Sequence, residues 1–408
     1  MEQTGKQTKA RPPRRWLLLR FADLLARLFA APARRDTVLL VRTFGIGDAL
    51  LFRLLLDAYK AALVPVGMRC VILGATDWQP IIADFFAGET VILVDQKRYA
   101  RRFFYRLRFN IMLRRLGVAR AVCPVYRRNP IVADAMVAAT DAPERWVMQP
   151  EVAPKMQAVA EFFRSGMTRI IDTDAVIAPG ARHELQRQLD FIARLVPGAP
   201  SDLPRTRLDD LLPDLPAGES DNAVLINLGA SYGPRRWPLA RWLQVAAALA
   251  ADGRRVVLVG GPAERDLLSD VEIWVASLPP ALRGQIEVSI AAWSFAELIR
   301  RTRHAALVLS SDTGPAHLAA LLGVAVIVAL GGGHFGEFFP YPQQPAWAHI
   351  HVLWHKRDCY FCSWACPYLS AEIRTYPCIS DIAIDEMVAA ARQALETAGL
   401  KPPVRVTG

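Results

Sequence analysis

Short continuous apolar runs alternate with segments whose apolar residues recur at helical spacing, and the alternation is played twice along the 408 residues. In the first half the runs fall at 37–42, 70–74, 90–95 and 120–125, with a helical pattern over 48–63 behind the first. The second half restarts the plan at 223–228, 255–260, 306–309 and 324–330. Half-exposed strands would alternate apolar and polar positions, so runs this uniformly apolar predict parallel strands covered by helices on both faces. The expected fold class is α/β: two Rossmann-like domains facing each other, with ligands beyond the carboxyl ends of the strands, in the cleft between them.

The boundary follows from composition. Pro197, Pro200, Pro204, Pro213 and Pro216 stand among Asp, Ser and Gly between the halves, which is linker chemistry. The reading is a basic amphipathic N-terminal tail and helix over 1–36, a first domain over 37–200, a linker over 201–222, a second domain over 223–380, and a C-terminal helix and tail over 381–408.

Charge sharpens the picture of the first half. The net charge is +10, and residues 1–35 hold nine Lys or Arg against only Glu2 and Asp23. A second stretch, 97–120, carries nine Lys or Arg and no acid, interleaved with Tyr99, Phe103, Phe104, Tyr105 and Phe109. Within it Arg101, Arg102, Arg108 and Arg115 are candidates for an anionic surface; the plainer alternative is a solvated helix face backed by core aromatics. Arg20, Asp23, Arg27 and Arg34 share one face of a helix whose remainder carries Trp16, Leu17, Leu18, Phe21, Leu25, Leu28 and Phe29. That pattern suits either an anionic membrane surface or packing on the protein itself. No apolar run reaches the roughly 18–20 residues of a spanning helix. The run at 16–30 is interrupted by Arg20, Asp23 and Arg27, so it is read as retained rather than as a signal peptide.

Three motifs follow strands and could carry chemistry. Gly45-Ile46-Gly47-Asp48 is a glycine turn that delivers an acid at a helix start, where Asp48 is either a proton acceptor or a cap. Ser231, Arg235 and Arg236 precede Trp237-Pro238 and Trp242; a hydroxyl and two planar cations suit a diphosphate, or form a solvated pair beside a packing Trp. Ser311-Asp312-Thr313-Gly314-Pro315-Ala316-His317 ends a buried strand and opens a helix whose first amides favour an anion, with His317 either in the site or in the core.

The order of these motifs, with Gly260-Gly261-Pro262-Ala263-Glu264 between them and SDTGPAHLAALLG over 311–323, resembles glycosyltransferase family 9, the lipopolysaccharide heptosyltransferases. The resemblance covers roughly 37–335. It implies a GT-B fold, an acceptor domain followed by a nucleotide-sugar donor domain, and inverting transfer with no catalytic cofactor or metal. By motif it implies Asp48 as general base, Ser231, Arg235 and Arg236 at the leaving diphosphate, and Asp312, Thr313, Gly314 and His317 in the donor loop. Glu264 matches the family's ribose-contacting acid. Arg235 replaces the family's usual Lys, and Gly331-Gly332-Gly333-His334-Phe335-Gly336-Glu337 departs from the heptosyltransferase loop. His334 and Glu337 are therefore candidate sugar contacts, and the donor is ADP-heptose or a similar sugar nucleotide. The partners implied are that donor, a cell-envelope glycolipid or glycan acceptor and an anionic membrane surface, with no nucleic acid expected and a cytoplasmic location at the inner membrane. The alternatives are a nucleotide-sugar epimerase on the same architecture, or a membrane- or nucleic-acid-associated binding protein on a degenerate transferase fold.

Cys359, Cys362, Cys366 and Cys378 lie close to His349, His351 and His355. Their spacing fits a structural tetrahedral zinc site, with an iron–sulfur cluster, disulfides or plain thiols as alternatives.

Overall fold

The computed structural model describes residues 15–29, 34–173, 183–199, 202, 208–212, 222–230, 232–342, 345–370 and 373–397. The linker expected at 201–222 falls mostly outside these residues, as do the tails at 1–14 and 398–408 and the proposed donor residue Ser231. The chain divides into two compact units. The first draws its described residues from Met1–Ala49, Leu55–Ala175 and Gln186–Leu203, the second from Leu50–Leu54, Val176–Leu185 and Pro204–Gly408.

The first unit is built on a six-stranded sheet of β1 (Thr37–Arg42), β2 (Arg69–Ala75), β3 (Thr90–Val94), β4 (Val118–Cys123), β5 (Glu144–Met148) and β6 (Arg169–Ile171), ordered β3-β2-β1-β4-β5-β6. The second has β7 (Val224–Asn227), β8 (Val256–Gly260), β9 (Ile286–Ile290), β10 (Leu307–Ser311), β11 (Val326–Ala329) and β12 (Ile350–Leu353), ordered β9-β8-β7-β10-β11-β12. Every strand pair is parallel. Each sheet thus has the doubly wound order 3-2-1-4-5-6, whose direction reverses between its first and fourth strands. This is the expected fold class, two Rossmann-like domains of GT-B type.

Burial explains which strands were visible in the sequence. Every residue of β1 and of β7 is buried, because helices cover both faces of these central strands. The four strands without a predicted run are β5, β6, β9 and β12, at or next to a sheet edge. They are short or carry Arg145, Arg169, Glu287, Ser289 and His351, so their apolar character is broken. The first core also fixes a turn: Trp78 stacks on Phe86, leaves a Cβ at Gly74 only 2.6 Å from its ring, and donates its indole N–H to the Phe44 carbonyl at 2.7 Å.

The N-terminal helix Arg15–Ala26 corrects one expectation. Asp23 does not lie on a solvent face with Arg20 and Arg27. It turns inward and accepts from Arg106 Nε (2.5 Å) and Nη2 (2.7 Å) and from Asn110 Nδ2 (2.7 Å). Trp16, Leu19, Ala22 and Ala26 are buried with it, while Arg20 lies 3.8 Å over the Phe162 ring. Arg106, one cation of the basic stretch, is therefore an internal strut. Among the described residues no helix is long and apolar enough to cross a membrane.

Candidate functional site

Each sheet places its candidate residues at the reversal point. In the first unit β1 runs into the turn at Gly45, which is the N-cap of the helix Ile46–Leu63. Asp48 lies in the first turn and is not the cap. A carboxylate there is favoured by the helix dipole. Arg42, 1% exposed, approaches Asp48 Oδ1 at 3.9 Å and donates to the Pro124 carbonyl after β4 at 3.0 Å. Asp48, at 21%, keeps an exposed edge.

In the second unit the ends of β7 and β10 are knitted together. Asn227 Nδ2 lies 3.0 Å from Ser310 Oγ and 3.2 Å from Thr313 Oγ1, and Trp237 N–H donates to Ser311 Oγ at 3.2 Å. Arg235 Nη2 reaches both the carbonyl and Oδ2 of Asp312 at 3.0 Å. Arg236 Nη2 donates to Glu264 Oε1 at 2.9 Å, and Glu264 Oε2 accepts from the Gly261 amide at 3.0 Å. Gly229 is required here, since a Cβ would meet the Glu264 carboxyl at 2.8 Å. Both carboxylates are nearly buried, so each pair is drier and stiffer than a surface ion pair. Thr313 caps the helix Gly314–Leu322 in extended geometry with no side-chain capping bond, and Pro315 removes one orphan N–H. A cavity of about 500 Å³ opens beside Arg236, walled by Leu228, Trp237, Leu267, Leu369 and Ile373.

His317 is 4% exposed. It stacks on Phe339 at 4.5 Å, and its Nδ1 lies 2.9 Å from the Tyr341 hydroxyl, with Nε2 3.9 Å from Asp312 Oδ1. The acid on the Nε2 side favours the tautomer protonated there, with Tyr341 donating to Nδ1. Burial, and then the charge of Arg235, push its pKa down to about 3, so it is neutral at physiological pH. This has a thermodynamic consequence. Below the unfolded value of 6.5 the unfolded chain takes up a proton that the native state refuses until about pH 3, so stability is full above 6.5 and falls as pH drops through that window. Denaturant midpoints should show an acid slope in the wild type of at most about 1.4 kcal/mol per pH unit from this residue. His317→Gln should remove that slope; identical pH profiles in the two proteins would refute the assignment.

The glycine-rich stretch after β11 and the cysteine segment pack face to face. A Cβ at Gly332 would lie 2.4 Å from Tyr360 and one at Gly333 2.2 Å from Trp364. Trp364 Nε1 donates to His334 Nδ1 at 3.2 Å, and the Arg235 guanidinium lies 4.5 Å over the Trp364 ring. Tyr376 donates its hydroxyl to the Trp364 carbonyl at 3.1 Å and its N–H to the Pro234 carbonyl at 3.0 Å, bracing the loop that carries Arg235. Phe361, Ser363 and Trp364 all have φ between 50° and 65°, a left-handed run that turns the indole onto the site. Glu337 is buried, and its carbonyl accepts from the Glu184 amide at 2.7 Å.

The expected zinc site gains no direct support from the side-chain arrangement. Burial raises the Cys362 and Cys378 thiols, and neighbouring cysteines add to the rise, so the sulfurs are neighbours. Among the described residues no group of three His, Cys, Asp or Glu side chains is placed to hold a metal ion. Cys378 is buried under Gly332, whose N–H points at its Sγ at 3.4 Å. The aromatic residues between the cysteines, rather than the thiols, hold the segment in place. In the first unit Arg101, Arg102, Arg108 and Arg115 are all exposed.

Two doubly wound units, one carrying an acid at its reversal point and the other an array of arginines and a helix start, have the architecture of the GT-B class. The comparisons carry this one step further. Residues 149–362 match the family model for glycosyltransferase family 9 (heptosyltransferase), and the chain belongs to that family. It is similar to lipopolysaccharide heptosyltransferase 3 of Escherichia coli, 34% identical over 118 residues, a stretch covering 28% of this chain and only 33% of that protein. Among solved structures, a family 9 glycosyltransferase from Veillonella parvula superposes with a TM-score of 0.63 at 17% identity, over 90% of this chain and 99% of that one. The ADP-heptose lipopolysaccharide heptosyltransferase II of Escherichia coli gives 0.61 at 14%, over 89% and 99%.

Proposed function

We propose that the chain transfers a heptose or closely related sugar, with inversion, from an ADP-linked donor to a cell-envelope glycolipid, working at the cytoplasmic face of the inner membrane. The observation that carries this reading is the convergence of Arg235, Asp312, Thr313 and His317 at the open N-terminus of the helix Gly314–Leu322. A diphosphate there meets the Gly314 and Ala316 amides, the helix dipole and two arginines. Ser231, outside the described residues, adds a hydroxyl; Glu264 takes the ribose, the cavity beside Arg236 takes the base, and His334 with Glu337 faces the sugar.

In the reaction the acceptor hydroxyl attacks the anomeric carbon while the bond from that carbon to the diphosphate oxygen breaks. The hydroxyl proton passes to Asp48, and the charge gathering on the diphosphate is met by Arg235 and Arg236. The steps call on no metal; a structural zinc on Cys359, Cys362, Cys366 and Cys378 would stand apart from the reaction.

The test is ADP release from a panel of nucleotide sugars, with and without membrane glycolipid. Release that requires both ADP-heptose and glycolipid is expected. Sugar interconversion without acceptor would make the chain an epimerase. Donor affinity without turnover, unchanged in Asp48→Asn, would make it a binding protein.

A further inference from the structure

The N-terminal helix is apolar on two opposite sides, and among the described residues only one side is covered. Trp16, Leu19, Ala22 and Ala26 face the first unit, whereas Leu17, Phe21 and Leu24 recur at steps of four and three and form one outward stripe, continued by Leu28 in the turn just past the helix. Leu17 is 69% exposed and Leu28 80%, on the side where a surface helix ordinarily carries charge. The patch continues beyond the helix. Phe21 stacks on Phe103 at 6.1 Å, Phe103 meets Phe104 edge-on at 5.3 Å, and Phe104 is 75% exposed.

Beside the patch Arg98, Arg101 and Arg102 line a concavity of about 650 Å³ together with Phe103, Phe104 and Tyr105. Residues 97–120 contain no acid, and Asp23, the acid of the helix, is turned inward onto Arg106 and Asn110. The outward face therefore pairs apolar side chains with an excess of positive charge, Asp95 at its margin being bonded to the Arg98 amide.

We infer that this composite surface docks on an anionic phospholipid bilayer, with the leucine and phenylalanine stripe in the acyl boundary and Arg98, Arg101 and Arg102 gripping lipid phosphates. It deepens the membrane-side part of the proposed function and is independent of the donor chemistry. Charge complementarity selects the occupant. A second copy would bring arginines against arginines, whereas a bilayer offers an apolar layer and, one headgroup away, a layer of phosphates. The Asp23–Arg106 pair and the buried Trp16 hold the helix flat on the unit, so docking needs no rearrangement.

Co-sedimentation of the full chain with vesicles of phosphatidylcholine, alone or mixed with phosphatidylglycerol, tests this. Binding to the mixed vesicles and little to the neutral ones is expected. Arg101→Gln/Arg102→Gln should weaken it about 30-fold and flatten its salt dependence. Leu17→Gln/Phe21→Gln/Phe104→Gln should abolish the binding that survives high salt, while thermal stabilisation by ADP-heptose, the folding control, stays as in wild type. Equal binding to both vesicle types, indifference to both variants, or lipid-free dimerisation lost in the apolar variant would overturn the inference. Vesicle binding that persists when ADP-heptose fails to bind would sink the donor reading and leave this one standing.

Discussion

Asp48→Asn is expected to lower kcat by about 10²- to 10⁴-fold, the range over which a positioned general base contributes, while donor affinity stays unchanged. The substitution keeps shape and removes the proton acceptor. Gly45, not Asp48, caps the helix Ile46–Leu63, so the substitution leaves the cap in place and loses a first-turn dipole interaction of roughly 0.3–1 kcal/mol. The 3.9 Å contact with Arg42 is too long for a strong hydrogen-bonded pair and adds little to that cost. Steady-state kinetics with calorimetric donor titration separates the outcomes. A few-fold change in kcat would reduce Asp48 to a helix-start residue, and a parallel loss of donor affinity would place its role in folding.

The central strands of both sheets were legible because burial on two faces leaves no polar residue to interrupt them; Thr37–Arg42 agrees with its predicted run at both ends. Of the four edge strands only β3, an apolar run at 90–95, was legible; β6, β9 and β12 were not. Ile286–Ile290 has its apolar run broken by Glu287 and the buried Ser289, and Ile350–Leu353 is too short to stand out from a loop. In the site, Arg235 and Asp312 were visible because local motifs carry them. Trp364, Tyr376 and Tyr341 were not, since their contacts with Arg235, Pro234 and His317 join segments that no spacing rule connects. One signal could have found Trp364: three consecutive glycines at 331–333 leave room for something large, and a tryptophan stands between Cys362 and Cys366.

Removing the Arg235 guanidinium should cost more than any other change in the second unit, because the charge it meets grows as the donor bond breaks. Arg235→Ala is expected to lower kcat/KM by about 10²- to 10³-fold, as loss of one preorganised charge-stabilising donor does elsewhere. It also leaves Asp312 buried without this partner, and with the cation gone His317 should titrate at higher pH, so the acid slope moves upward. Arg235→Lys should fall between, since an ammonium keeps the charge but cannot hold the carbonyl and carboxylate of Asp312 and lie flat on Trp364 at once. Trp364 acts through that arginine. Trp364→Ala should raise the donor KM by about 3- to 30-fold, the size of a cation–π contact, with kcat less affected. Trp364→Phe, which keeps a ring but not the N–H to His334, should recover most of the loss. The decisive comparison is the double variant. If Trp364 positions Arg235, then Arg235→Ala/Trp364→Ala should be no worse in donor KM than Arg235→Ala alone. Additive losses would mean that the indole serves only to pack on Gly333.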